Sequence, residues 1–308
     1  YQDVPFGQCG AAERLRVSVA MAMAANPDLR VIRVTDASLL DDNNRAIIDE
    51  MAKEHDFQIW LEIVGAEEGV GVVIEDGMVK EFLGVHDVHK NWVETQVFKG
   101  GLTALPTLCA TAAITSKILE QGVEGCLVEC GVFKGSHPAV MQYICRFMGK
   151  RRLVYLFDSF EGIPKAGPND CEGIAPLVGR VDGDQIEPSG VSICSLNEVS
   201  GYMRKWGADP TMLRFVKGWF HQTLPTTDIG PIALLRLDAD LYESTKTCMT
   251  YLYPRVVDGG YVIVDDWRLD GVKKAVCDAL GGEPQNYHEI PDGVGDSGQR
   301  PIFWKVKR

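Results

Sequence analysis

Two apolar runs stand out in the second half of the chain. Residues 232–237 (IALLRL) and 261–264 (YVIV) are each short enough for a buried strand. Each ends in carboxylates, Asp238 and Asp240 after the first and Asp265 and Asp266 after the second. Between them residues 242–253 read as a helix, with Gly259-Gly260 expected to close it off. A strand–helix–strand unit of this length places its two strands parallel and close in one sheet. The same alternation runs backwards and forwards from there. A helix starts at Ala104, with Leu105, Leu108, Ala112, Thr115 and Leu119 on one face. Strands are expected at 126–130, 153–157 and 213–216, helices at 196–206 and 270–280, and closing strands at 287–290 and 302–306.

The first hundred residues have their own pattern. An alanine-rich helix over 11–25 is stopped by Asn26-Pro27, and a strand over 29–34 ends at Asp36. A helix over 43–55, a strand over 57–64 and a hairpin of 70–75 with 78–82 over Asp76-Gly77 follow. Gly100-Gly101 reads as a linker, so residues 1–100 form a small N-terminal α/β region and 101–308 a second domain. Residues 165–190 are rich in Gly, Pro and Asp and lack periodicity. So long a stretch inside a compact domain is a functional lid or a passive solvated loop; an active-site lid that shapes substrate choice is the expectation.

Composition narrows the function class. Of 308 residues, 43 are Asp or Glu and 31 Lys or Arg, for a net charge of −12. That excess argues against a nucleic-acid or anionic-membrane surface. Nine cysteines are scattered without a CxxC pair, which points to reduced thiols in a cytoplasmic compartment. No signal peptide or membrane span is evident.

The candidate chemistry sits where the predicted strands end. Ligands of parallel α/β sheets bind at the carboxyl ends of the strands. Four carboxylates at two such ends repel one another unless a cation lies among them, and a hard, oxygen-seeking ion such as Mg2+ is the natural occupant. If the strand continues past Asp238, Asp240 points the same way and serves as base or orienter beside it. After the strand at 126–130, Glu129-Cys130-Gly131-Val132-Phe133-Lys134-Gly135-Ser136 turns into a helix, and Gly131 and Gly135 let backbone approach a ligand closely. This is not the GxGxxG of dinucleotide folds, and an ordinary tight turn is the plainer alternative. Asp158, after the next strand, can accept hydrogen bonds from ribose hydroxyls. Gly218 and Trp219, after the strand at 213–216, are placed to flank an adenine. His221 is a further candidate base.

The blocks LVECGVFKGS, LFDSFEGIP, FVKGWFHQTLP, LRLDADLYEST and GGYVIVDDW, in that order, resemble the macrocin O-methyltransferase family over about residues 104–308. The resemblance implies a Rossmann-like, seven-stranded methyltransferase sheet. It also implies an enzyme that moves a methyl group from S-adenosylmethionine to a sugar hydroxyl of a glycosylated natural product, with Mg2+. It implies Asp238, Asp265 and Asp266 as metal ligands; a carboxylate beside that ion, Asp240 or Asp238, is the expected catalytic base. Cofactor contacts would come from Glu129, Gly131, Val132, Ser136, Asp158, Ser159, Gly218 and Trp219. Trp267 stands where the family commonly has Tyr, and would alter the substrate wall. The partner expected is a small hydroxyl-bearing acceptor; self-association into a homo-oligomer is compatible with this reading. A catechol-type methyltransferase, whose acceptor is a flat phenol, is the alternative within the class.

Residues 1–85 resemble the C-terminal part of an SMC/RecF-like ATPase head. Residues 10–14 stand for the signature, 31–36 for Walker B and 38–41 for the D-loop. Ala37 takes the place of the catalytic glutamate, and no GxxxxGK[ST] phosphate loop occurs. An interaction module derived from such a head, with an inactive second half, is the alternative of a different class.

Overall fold

The computed structural model describes residues 11–25, 30–34, 42–61, 73–75, 78–80, 93, 97, 103–170, 173–181, 186–290 and 300–308. The expected turn Asp76-Gly77, the linker Gly100-Gly101, and Asp36, Ala37 and the D-loop-like 38–41 lie outside them. The chain divides into two compact units, Tyr1–Val70 and Gly71–Arg308.

In the first unit, helix α1 (Ala11–Ala25), strand β1 (Val31–Val34), helix α2 (Asp42–His55) and strand β2 (Gln58–Leu61) follow one another. The two strands pair in parallel, Val31 opposite Gln58. Val19, Met23, Ile32 and Ile48 form a small core. These are the expected elements, shifted by a few residues at their ends.

The second unit opens with strands β3 (Val73–Glu75) and β4 (Met78–Lys80), which pair antiparallel as a hairpin. Helix α3 (Leu105–Glu120) leads into β5 (Cys126–Cys130), α4 (Ser136–Phe147) and β6 (Val154–Asp158). A strap follows, with the short strands β7 (Ile163–Pro164) and β8 (Pro188–Val191) paired at its base and a one-turn helix α5 (Ala175–Val178) between them. Then come α6 (Leu196–Lys205), β9 (Leu213–Lys217), the short α7 (Phe220–Thr223), β10 (Ile232–Leu237), α8 (Tyr242–Leu252), β11 (Val256–Val264), α9 (Asp270–Leu280), β12 (His288–Glu289) and β13 (Ile302–Lys305). The seven-stranded sheet has the order β12-β13-β11-β10-β5-β6-β9. Its pairs from β11 to β9 are parallel, and β13 is antiparallel to β11.

The central strands are apolar on both faces because both are covered. On one face Leu108 and Ile114 of α3, Met141 and Ile144 of α4 and Val199 and Met203 of α6 pack with Ala233, Leu234 and Tyr261, and Val93 and Val97 are buried in that same core. On the other, Cys248, Met249 and Leu252 of α8 and Val272 and Val276 of α9 pack with Leu235, Leu237 and Val262. Helix α6 starts with a capping box, in which the Ser195 hydroxyl accepts from the Glu198 N–H and the Glu198 carboxylate accepts from the Ser195 N–H.

Three expectations need correction. Gly259-Gly260 do not end a helix: α8 stops at Leu252 and the glycines lie inside β11. A Cβ on Gly260 would come 3.0 Å from the Ala233 carbonyl, so glycine lets β11 run close against β10. Trp267 does not line a substrate wall. It is only 5% exposed, inside the core under α8 and α9 with its ring 5.6 Å from that of Tyr287. Asp240 does not continue the strand, as described next.

Candidate active site

Five chain turns meet along the carboxyl edge of the sheet, and backbone hydrogen bonds tie them together beyond the strands. The Gly218 N–H donates to the Asp158 carbonyl (2.9 Å), Gly131 to Phe157 (3.0 Å), Asp238 to Cys130 (2.8 Å) and Asp265 to Leu237 (2.9 Å). Every residue expected to bind cofactor or metal or to act as base sits on one of these turns or within two residues of it. His221, by contrast, is exposed on α7 and is outside the carboxylate cluster.

Gly131 is required by packing. Its φ is +85°, and a Cβ there would fall 1.7 Å from the Asp238 carbonyl oxygen. The turn after β5 is thereby pressed against the turn after β10. Val132 is buried and Phe133 is held at φ 44°, a strained value for an aromatic residue. Asp158 holds this turn in place. One carboxylate oxygen accepts from the N–H groups of Val132 (2.6 Å) and Phe133 (3.3 Å), the other from Phe160 N–H (2.6 Å). Asp158 therefore spends its carboxylate on the backbone of two turns. Burial raises its pKa, and those backbone donors pull it back. Ser159 donates to the Gly162 carbonyl at 3.0 Å, and Ser136 is the buried first residue of α4.

Glu129 is 1% exposed, and one of its oxygens accepts from Arg236 at 2.7 Å. The other, Oε2, has no hydrogen-bond partner among the described residues. Burial pushes this carboxyl well above its usual range, against the pull of Arg236. An orphaned buried oxygen at this edge fits a ligand that brings its own donor, as the ammonium of an amino-acid-bearing cofactor does.

Arg236 joins the site although the apolar pattern around it does not announce a site residue. It interrupts the apolar run of β10, is fully buried, and donates to Glu129, to Asp238 (2.9 Å) and to Asp265 (2.5 Å). Burial disfavours its charge, but Asp265, Asp238 and Glu129 together hold it protonated more firmly than usual. The signal was present: a lone cation in a buried strand must have partners.

Asp238, Asp265 and Asp266 each offer a carboxylate oxygen, and these atoms lie within 4.8 Å of one another. Asp240 is beside them in a left-handed turn at φ 57°, where Asp is tolerated. Its N–H donates to an Asp266 oxygen at 3.3 Å. Burial, then repulsion from the neighbouring aspartates, raises the pKa values of Asp240 and Asp266 well above normal. Arg236 alone does not balance so many carboxylates. The donor set is all oxygen and suits a hard divalent cation.

A family model for macrocin-O-methyltransferase (TylF) matches residues 106–305. A demethyldecarbamoylnovobiocin O-methyltransferase of Streptomyces niveus is 39% identical over 192 residues, 62% of this chain and 70% of that protein. An 8-demethyl-8-(2,3-dimethoxy-alpha-L-rhamnosyl)-tetracenomycin-C 4'-O-methyltransferase of Streptomyces olivaceus is 35% identical over 191 residues, 61% of this chain and 68% of that protein. Among solved structures, the O-methyltransferase NovP superposes with a TM-score of 0.55 at 31% identity, covering 66% of this chain and 81% of NovP. With sheet order, acidic edge and family match in agreement, the chain belongs to the macrocin-O-methyltransferase (TylF) family and is an O-methyltransferase.

Proposed function

We propose that this enzyme methylates a sugar hydroxyl of a glycosylated natural product, using S-adenosylmethionine and a divalent metal, with Mg2+ the natural choice. The observation that carries the reading is the convergence of Asp238, Asp265 and Asp266 within 4.8 Å at the edge of a methyltransferase sheet. The acceptor class comes from the relatives, whose names specify novobiocin, rhamnosyl-tetracenomycin and mycinamicin O-methylation.

When bound, the cofactor supplies an electrophilic methyl group, and the cation lowers the pKa of a nearby hydroxyl. The chain's own residues do the rest. Asp238, Asp265 and Asp266 would hold the cation. Gly131, Val132 and Ser136 would bring backbone close to the methionine end of the cofactor, with Glu129 Oε2 as acceptor for its ammonium group. Asp158 would act by fixing that turn, Ser159 would contact the cofactor, and Gly218 and Trp219 would flank the adenine. With a cation offsetting the charge of the neighbouring carboxylates, Asp240, outside the three-oxygen set but next to it, would be free to take the proton from the acceptor hydroxyl. Unbridged cysteines, among them Cys130, Cys145 and Cys248, suit a reducing compartment such as the cytoplasm. Among the described residues no helix is long and apolar enough to cross a membrane.

The test is transfer of labelled methyl from S-adenosylmethionine to a panel of glycosylated natural products and simple catechols. Methylation of a sugar hydroxyl is the expected result. Product from the catechols alone would move the enzyme to the phenol-methylating class. Cofactor binding with no transfer to any acceptor would favour a non-catalytic module.

A further inference from the structure

Resting on the metal-assisted reading above, we propose that Asp170 is a positioning residue: it pins the strap after β7 to the two acidic loops and so sets the geometry of the carboxylate cluster.

An aspartate in a Gly-, Pro- and Asp-rich segment is expected in solvent. Asp170 is instead 7% exposed. One of its oxygens accepts from the Tyr242 N–H at 2.7 Å, the other from the Gly167 N–H at 2.8 Å. Tyr242 is the first residue of α8, and the residue in the cap position, Leu241, has no side chain that can cap. The first N–H groups of a helix need acceptors, and a carboxylate there also gains from the helix dipole. The strap supplies that acceptor from far away in sequence.

Further contacts point the same way. Ala166, Ile174, Ala175 and Val178 of the strap close over Leu241, with Leu269 alongside. Leu241 directly follows Asp240, and the Leu269 N–H donates to the Asp266 carbonyl at 3.0 Å. The strap thus grips a residue of each acidic loop. Gly271 leaves no slack, because a Cβ there would come 2.5 Å from an Asp170 oxygen and 3.2 Å from the Asn169 carbonyl. Asp240 lies in a left-handed turn immediately before the gripped Leu241. Asp170 and the apolar contacts of the strap fix where that turn sits.

The experiment uses the full chain with Mn2+ as the metal probe and S-adenosylhomocysteine as the cofactor probe, both by calorimetry. Asp170→Ala removes the acceptor, and Gly271→Ala displaces it from the other side. Each is expected to weaken Mn2+ binding about tenfold, as for other residues that orient metal ligands. S-adenosylhomocysteine affinity should stay within about twofold, because its contacts come from other turns. Asp170→Asn keeps an acceptor for Tyr242 and should fall between wild type and Asp170→Ala; it also keeps the test alive if the alanine variant does not fold. Tryptic cleavage at Arg180 reports whether the strap itself is loosened. Unchanged Mn2+ affinity alongside faster cleavage would mean that Asp170 holds only the strap, and would overturn the proposal. No Mn2+ binding by the wild-type protein would overturn the metal reading beneath it, a result distinct from equal binding by wild type and variants.

Discussion

Asp240→Asn is expected to lower kcat by about 10²–10⁴-fold, the usual contribution of a positioned acid or base. The substitution keeps the shape of the side chain, and Asn is also tolerated in the left-handed turn at φ 57°. The fold and the other three aspartates should therefore stay in place. What is lost is an acceptor for the hydroxyl proton beside the Asp238–Asp265–Asp266 set. S-adenosylhomocysteine affinity, measured by calorimetry, should be near that of the wild type, so the loss falls on the chemical step. A fall in cofactor affinity that accounts for the whole rate loss would assign Asp240 to binding instead.

Arg236→Met is expected to destabilise the protein by about 3–5 kcal/mol, the range for removing one partner of a buried ion network. Arg236 is fully buried and serves Glu129, Asp238 and Asp265 together. Without it three carboxylates lose the buried charged donor they share. For a domain of this size the midpoint of thermal unfolding should drop by roughly 6–20 °C. Arg236→Lys keeps the charge but not the fork that reaches several carboxylates, so it should recover only part of the loss. Unfolding midpoints of both variants within about two degrees of wild type would mean that the network carries little stability.

The fold was legible where the period of the pattern was clean. Cys126–Cys130, Ile232–Leu237 and Asp270–Leu280 fall where the apolar runs and helix signals put them. The acidic ends of β10 and β11 were legible for the same reason: a carboxylate after a buried strand has few uses, and parallel pairing brings two such ends together. What was not legible depends on contacts distant in sequence. Gly259-Gly260 read as a helix stop because nothing local reveals the Ala233 carbonyl that demands glycine there. Trp267 read as a wall residue because its burial comes from α9 and from Tyr287 across the tail. The backbone contacts of Asp158 were not legible either: its oxygens are engaged by its own turn and by the turn after β5, which lies on another element. Asp170 had no local signal at all, since its partner Tyr242 lies on another element.

If the acidic edge holds a metal, as proposed, methyl transfer should depend on it. The most direct measurement is the rate of labelled methyl transfer in excess chelator, then after Mg2+ is restored, for wild type and for Asp265→Asn. A loss on the order of a hundredfold is expected in chelator, about 2.7 kcal/mol of transition-state stabilisation. Restored Mg2+ should bring full recovery for wild type and only partial recovery for Asp265→Asn. Undiminished transfer in chelator, with wild-type rates in Asp265→Asn, would contradict that dependence.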